Sequence, residues 1–347
     1  MKSVKTITTW ASRAVESQAT KAFNKTLQLI KEPLSLVEKE ITDQSRSFDV
    51  RMKRYIDDAC GGSGKRLRPV LALLTGGACG GLTQEHQRLA LILELIHIAS
   101  LIHDDIMDEA GLRRERPTLH AKWGNATSVL VGDLLFAHAL KLSADFSNSE
   151  ISRCIADATL DVCSGEILQT ERRFDVHLNL QEYYRIIAMK TGSLFRAACE
   201  LGAVISKATP AVVEALRHYG NNIGIAYQIL DDCIDLIGNE KNIGKTLGTD
   251  LQHGKFTLPI LFLLQSCSEA ERNKWHDYLL HKKEKDLHEL GVTLLEQGAL
   301  NKAVAEAQRL IEEANEKLDL VGKNSYSEGL RGIASYILSI LRTMEKI

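Results

Sequence analysis

Proline is scarce: five occur in 347 residues, none lies between Pro117 and Pro210, and none follows Pro259. Proline inside a helix removes a hydrogen bond and clashes with the preceding turn, so these stretches leave room for long helices. Aromatic residues are also few, at 5%, and no apolar/polar alternation runs beyond four positions, so any sheet has to be small. Charge of one sign is not in excess. Lys and Arg number 43 against 45 Asp and Glu, a formal net charge of −2, which excludes a global basic field for nucleic acid or an anionic surface. An anion site has to be local. The seven cysteines (Cys60, Cys79, Cys154, Cys163, Cys199, Cys233, Cys267) include no C-x-x-C pair. An odd number cannot all pair within one chain, and a reducing, cytoplasmic setting is the simplest reading. No transmembrane segment is expected: the longest apolar run, Leu89 to Ile102, is interrupted by Glu94, His97 and Ser100, too short and too polar for a bilayer. It reads as a buried helix. The N-terminus carries Lys2, Lys5 and Arg13 without an acid, fewer arginines than a transit peptide uses. Residues 1–30 are therefore read as a solvated helical extension, with organellar targeting as the alternative.

What the chain does have is a large apolar fraction, 44%, enough for a sizeable core, which excludes disorder as the main state. Helical periodicity is nearly continuous. Leu300, Val304, Ala307, Leu310, Ile311, Ala314, Leu318 and Val321 recur at three-to-four spacing, the pattern of one amphipathic outer helix. Helix starts are marked by Thr83 and by Thr209 followed by Pro210. Loops are expected at Gly76-Gly77, at Ser147 to Ser149, and at Gly244, Gly248 and Gly254. The charged stretch Ser268 to Leu290 reads as a surface connection, not a domain boundary, because periodicity resumes on both sides. The expectation is a single all-α domain over residues 1–347.

The informative residues are acids. Asp104, Asp105, Asp108 and Glu109 crowd the end of the most apolar helix, where like charges repel and burial makes each carboxylate costly. Asp104 and Asp108 are four apart, so they share a face and can share a divalent cation, whereas Asp105 points about 100° away. Asp231, Asp232 and Asp235 repeat the spacing after a second apolar run. Two such helices facing each other would put carboxylates on both walls of a pocket. An exposed acidic helix end explains one such cluster; two, both embedded in apolar helices, argue for a site. Hard oxygen ligands suit Mg²⁺, which binds through one or two carboxylates plus substrate phosphates. Cations for a phosphorylated ligand are present: Lys65, Arg66 and Arg68 after a glycine-rich turn, Arg113 and Arg114 after the first acids, and the isolated Lys190, Lys245 and Lys255. Each alone reads as a surface charge; their grouping around the acids carries the argument.

Look-alike motifs fail on spacing. A P-loop needs glycine where Ala59 stands and Ser or Thr where Arg66 stands. Glu94 and His97 form one E-x-x-H, while a di-iron bundle needs two. Neither acidic cluster fits the calcium loop of an EF-hand. His97, seven residues before Asp104, shares the face of the first acids, with a satisfied core histidine as the alternative.

The run Asp104, Asp105, Ile106, Met107, Asp108 followed by Arg113-Arg114, with GKRLRP at Gly64 to Pro69 upstream, resembles the trans-isoprenyl diphosphate synthases. Further matches are Lys190-Thr191-Gly192, the stretch from Gly224 through Gln228 to Asp235, and Gly244-Lys245 through Gly254-Lys255 to Pro259. The resemblance implies an all-α bundle of long antiparallel helices around a deep central cavity, usually a homodimer. It also implies repeated condensation of an allylic diphosphate with isopentenyl diphosphate. By the same resemblance Asp104, Asp108 and Asp231, together with Asp105, Asp232 and Asp235, would hold two or three Mg²⁺ ions. Arg113, Lys190, Thr191, Gln228, Lys245 and Lys255 would contact the allylic diphosphate, and Lys65, Arg66, Arg68, His97 and Arg114 the isopentenyl diphosphate. No side chain in these motifs is an obvious general base, so the released diphosphate is expected to take the proton. Tyr227 stands where many members have Phe, Thr249 where many have Lys, and the C-terminus lacks the basic tail of some short-chain members.

In such enzymes the product tail grows along the helix bearing the first acids, so Ser100, Ala99 and Ile96 would form its floor. Ser100 and Ala99 are small, which implies a medium or long all-trans product, with Phe136 as a deeper floor and peripheral membrane contact for its release. The alternatives are a geranylgeranyl- or farnesyl-range synthase, a class I terpene cyclase and a non-catalytic subunit of a heteromeric synthase. Cyclases normally carry an Asn/Ser/Glu-type second site, and non-catalytic subunits show eroded acids. Neither departure occurs in this chain.

Overall fold

A computed structural model describes residues 18–62, 64–114, 116–237, 248–280 and 287–344. The chain runs through helices α1 (Gln18–Leu29), α2 (Lys31–Asp43), α3 (Lys53–Cys60), α4 (Leu67–Ala78) and α5 (Gln84–Met107). A two-residue ribbon follows, β1 (Leu112–Arg113) against β2 (Arg116–Pro117), antiparallel with Arg113 opposite Arg116. Next come α6 (Leu119–Trp123), α7 (Asn125–Ser143), α8 (Ser149–Glu171) and α9 (Leu180–Ile187). The π-helical turn Ala188–Gly192 leads into α10 (Ser193–Ile205) and α11 (Pro210–Ile237). After α12 (Thr249–Gln252) the chain ends in α13 (Leu258–Ser266), α14 (Glu269–Leu280), α15 (Leu287–Glu296), α16 (Ala299–Lys317) and α17 (Ser325–Met344). The expected all-α class is observed, and the two-residue ribbon is the only sheet among the described residues.

The physical reason for this layout is visible in α5 and α11. Leu89 to Ile96 is buried without interruption on α5, so the helix is apolar all round and has to sit inside others. It packs against α4, α7 and α2, while α11 packs against α10 and α16. One continuous apolar cluster, from Phe23 to Leu341, joins these layers. At the start of α5 the Thr83 N–H donates to His86 Nδ1 at 3.1 Å, a reciprocal cap in which histidine takes the place of the usual Glu or Gln. The acids lie in the last turns of both long helices, so each cluster emerges where an apolar core element ends.

Three expectations require correction. Gly76 and Gly77 are not a loop but the last full turn of α4, and a Cβ on either would overlap the ring of His86 or Tyr326; they are small because two other elements approach there. Within Ser268 to Leu290, residues Glu269–Leu280 form a helix with its Leu279 buried. The extension over residues 1–30 is not solvated throughout: Phe23, Leu27 and Ile30, spaced four and three apart, are buried, and Phe23 stacks on Tyr336 at 4.4 Å.

Candidate active site

The first acids occupy three different environments. Asp104 is pushed up to about 6 by burial, against the pull of the nearby Lys190 ammonium. Asp105 is buried and accepts a hydrogen bond from Arg113 Nε at 2.7 Å. Asp108 receives Lys255 Nζ on both oxygens, at 2.9 and 2.7 Å, and Arg173 Nη2 at 3.1 Å. Burial alone would raise the Asp108 carboxyl, but Lys255 outweighs it and the net shift is downward.

The second acids divide in the same way. Asp232 is 3% exposed and both its oxygens are taken, by the Tyr183 hydroxyl at 2.6 Å and Gln228 Nε2 at 2.8 Å. Burial, then the nearby Asp250, push its carboxyl up, opposed by those two bonds. Asp235 accepts from Thr249 Oγ1 and from the Asp250 N–H, each at 3.1 Å, and its carbonyl accepts from the Gly248 N–H at 2.8 Å. Asp105, Asp108, Asp232 and Asp235 each accept from protein donors, and these contacts brace both walls. Thr249, the residue where many similar enzymes carry Lys, is one of those braces.

Two chains of contacts tie the walls together. Lys190, within the π-helical turn, bonds Glu166 at 2.5 Å and Gln169 at 2.9 Å. Burial would lower its ammonium, but Asp104 and Glu166 prevail and raise it. The adjacent Thr191 donates to Gln228 Oε1 at 2.6 Å, and Gln228 in turn holds Asp232. A single wide turn of this kind re-aims consecutive side chains. It lies against α11 because Gly224 has no side chain: a Cβ there would sit 2.8 Å from Gly192 Cα. On the other side, the Lys255 N–H donates to the Asp250 carbonyl at 2.8 Å, linking Asp108 through Lys255 and Asp250 to Asp235. Lys245 lies outside the described residues.

A basic subsite adjoins the first wall. Lys65 Nζ donates to the Tyr227 hydroxyl at 3.3 Å, and the Arg68 guanidinium lies 5.0 Å from the Phe195 ring centroid. Burial lowers both Arg68 and Arg114. His97 is held well below its ordinary value by burial and then by Arg68, Arg114, Arg113 and Arg66. It faces arginines as a neutral hydrogen-bonding group. The buried Arg68 Nε has no protein partner, the kind of orphan donor that a ligand satisfies. Arg66 is corrected: it turns inward, giving Nη1 to Glu94 at 2.6 Å and Nη2 to the Gly62 carbonyl at 2.8 Å, and the pair is buried and neutral.

Below the acids on α5, Ile96 and Ala99 are fully buried, and Ser100 Oγ donates to the His97 carbonyl at 2.9 Å. Phe136, the proposed deeper floor, has its ring centroid 5.6 Å from that of His103. Sequence reasoning missed Arg173, Glu166, Gln169 and Tyr183. Each meets the site from another element, with no spacing relation to the acids; the one available signal was a basic pair, Arg172-Arg173, directly after α8.

Among the described residues no three metal-ligating side chains converge on one point, so the acids form no closed cage. That donor set fits Mg²⁺, which keeps waters and takes phosphate oxygens beside one or two carboxylates. The raised carboxyl of Asp104 is what a desolvated acid shows when it lacks a full countercharge, whereas Asp108 is already met by two cations.

Residues 49–294 match the model of the family described as polyprenyl synthetase. An all-trans-nonaprenyl-diphosphate synthase (geranyl-diphosphate specific) from Rhodobacter capsulatus is 36% identical over 268 residues, 77% of this chain and 82% of the relative. An octaprenyl diphosphate synthase from Haemophilus influenzae is 33% identical, covering 79% and 83%. Among solved structures, a Caulobacter crescentus polyprenyl synthase complexed with calcium and isoprenyl diphosphate has a TM-score of 0.86 at 33% identity, over 91% of this chain and 97% of that one. The matched region spans most of the chain and both acidic walls, and the fold agrees with the solved relatives over nine-tenths of its length: this protein belongs to the polyprenyl synthetase family of prenyltransferases.

Proposed function

We propose that the protein is an Mg²⁺-dependent all-trans polyprenyl diphosphate synthase, elongating an allylic diphosphate with successive isopentenyl units to a medium or long chain. The observation that supports this most is the pairing of two acidic helix ends through Lys190 and Lys255, beside a separate basic subsite: one site for a leaving diphosphate and another for a second diphosphate. Asp104, Asp108 and Asp231 would hold two or three ions, and when bound the metal supplies positive charge for the departing diphosphate. Arg113, Lys190, Thr191, Gln228, Lys245 and Lys255 bind and orient that group. Lys65, Arg68, Arg114 and the neutral His97 hold the isopentenyl diphosphate, so that its double bond lies against the allylic carbon.

In each cycle the allylic C–O bond breaks and its electron pair leaves with the diphosphate. The isopentenyl double bond forms the new C–C bond to the allylic carbon. A proton beside the resulting cation passes to a diphosphate oxygen, which leaves a new allylic diphosphate five carbons longer. The apolar wall of α5 excludes water from the cation. One relative, from Methanothermobacter thermautotrophicus, is described as a short chain isoprenyl diphosphate synthase at 36% identity, so identity alone does not set chain length; the small side chains of Ala99 and Ser100 favour the longer product.

A homodimer is part of the proposal. Helix α7 is long and apolar enough to cross a membrane by composition, but it carries Asp133 and Lys141 and packs on α5, α6 and α8. Leu130 on α7 and Leu160 and Ile167 on α8 are 68%, 65% and 60% exposed, an apolar face of the kind that a second copy covers. The single-domain reading is supported by the continuous core from Phe23 to Leu341, and a reducing, cytoplasmic location is proposed from a sequence whose seven cysteines include no C-x-x-C pair. Release of a chain this apolar calls for peripheral contact with a membrane.

The test is incubation with Mg²⁺, radiolabelled isopentenyl diphosphate and farnesyl or geranylgeranyl diphosphate, followed by extraction and chromatography of the hydrolysed product. Label in the organic phase as a ladder of long chains is expected. Label remaining in water with every primer would reject the proposal.

A further inference from the structure

Asp108 carries one negative charge and is contacted by two cations, Lys255 and Arg173, which share its Oδ1. Arg173 reaches it from the turn after α8, and that turn is fixed in place. The Phe174 N–H donates to the Gly254 carbonyl at 2.7 Å, one residue before Lys255. Phe174 adopts a φ of 61°, a left-handed conformation that a bulky side chain holds only when its surroundings enforce it. Its ring lies where any side chain at Gly254 would collide with it. On the far side, Arg172 bonds Asp175 at 3.1 Å and Glu182 at 2.5 Å. Arg173 and Lys255 are therefore tied together through the main chain and meet at one carboxylate. The Arg173 Nε is buried and has no protein partner, so the guanidinium spends one donor on Asp108 and keeps another unmet.

An ion at Asp104 and Asp108 adds two positive charges beside a carboxylate that two cations already touch. Such a cluster balances only when further negative charge arrives. The backbone tether keeps the Arg173 main chain beside Lys255 while its side chain remains able to re-aim, and a guanidinium fork is suited to bidentate contact with phosphate.

We propose that Arg173 is a further diphosphate-binding residue, transferring its donors from Asp108 to the allylic diphosphate when the metal-bound substrate arrives. This rests on the function proposed above. The test compares full-length wild type, Arg173→Gln and Arg173→Lys in two titrations. The first is calorimetric, with farnesyl S-thiolodiphosphate, which resists ionisation, in the presence of Mg²⁺. The second follows Mn²⁺ alone by electron paramagnetic resonance. Loss of a charge-assisted contact is expected to weaken the thiolodiphosphate about tenfold or more in Arg173→Gln, and less in Arg173→Lys. Mn²⁺ binding is expected to hold or tighten, because a competing cation has left Asp108. An unchanged thiolodiphosphate affinity would overturn the proposal, and so would parallel weakening of both ligands, the signature of a residue that only braces Asp108. Wild-type protein that binds no thiolodiphosphate would overturn this proposal and the synthase reading together. Should Arg173→Gln fail to fold, Arg173→Lys decides by the same two measurements.

Discussion

Tyr183 and Gln228 close both oxygens of Asp232, while the adjacent Asp231 takes no part in that buried pair. Removing the Tyr183 hydroxyl leaves the buried Asp232 carboxyl short of a donor, so Tyr183→Phe is expected to destabilise the protein by about 1–3 kcal/mol, measured by urea unfolding. Asp231→Asn, at the adjacent candidate ligand, is expected to abolish turnover, measured by the isopentenyl incorporation assay. At the proposed floor of the site, Ala99 is fully buried on α5, five residues before Asp104. Ala99→Phe places a ring about one helical turn below the acids and is expected to shorten the product ladder on thin-layer chromatography. An unchanged distribution would remove Ala99 from the floor.

At the scale of elements, the last turn of α4 shows how packing overrides local preference. Gly76 to Ala raises helix propensity by about 1 kcal/mol, yet its methyl group would enter the ring of His86, which is anchored by Gly202 and Ser206 and has no room to yield. Overpacking of that kind costs about 1–3 kcal/mol, so Gly76→Ala is expected to lower the melting temperature. A rise would show that propensity prevails. The same balance explains why the glycine pair reads as a loop in the sequence: the ring that requires the glycine comes from α5.

At the scale of the whole molecule, pH and metal should act together. Asp104 stands at about 6 in the fold against 3.8 as a free side chain. The folded state therefore binds the extra proton, and the metal-free protein gains this contribution as pH falls through about 6 toward 3.8 and loses it as pH rises through about 6. Magnesium requires the ionised carboxylate, so the rise in melting temperature on adding Mg²⁺ is expected to be larger near pH ~7.5 than near pH ~5.5; an equal rise at both would separate Asp104 from the ion. Placing Asp at both Leu130 and Leu160 should yield monomers by light scattering, because a charge cannot be buried unpaired in an apolar interface.

The sequence by itself determined the all-α class, the ends of α5 and α11 as the place of the acids, and the helix starts after Thr83 and at Pro210. These follow from periodicity and from residues adjacent in the chain, which act locally. Only the tertiary structure decided that Tyr183 reaches Asp232, that Arg66 turns to Glu94, and that Arg173 reaches Asp108. Each of those is set by a partner many residues away, and a carboxylate's role depends on the donors that reach it, which spacing along one helix does not encode.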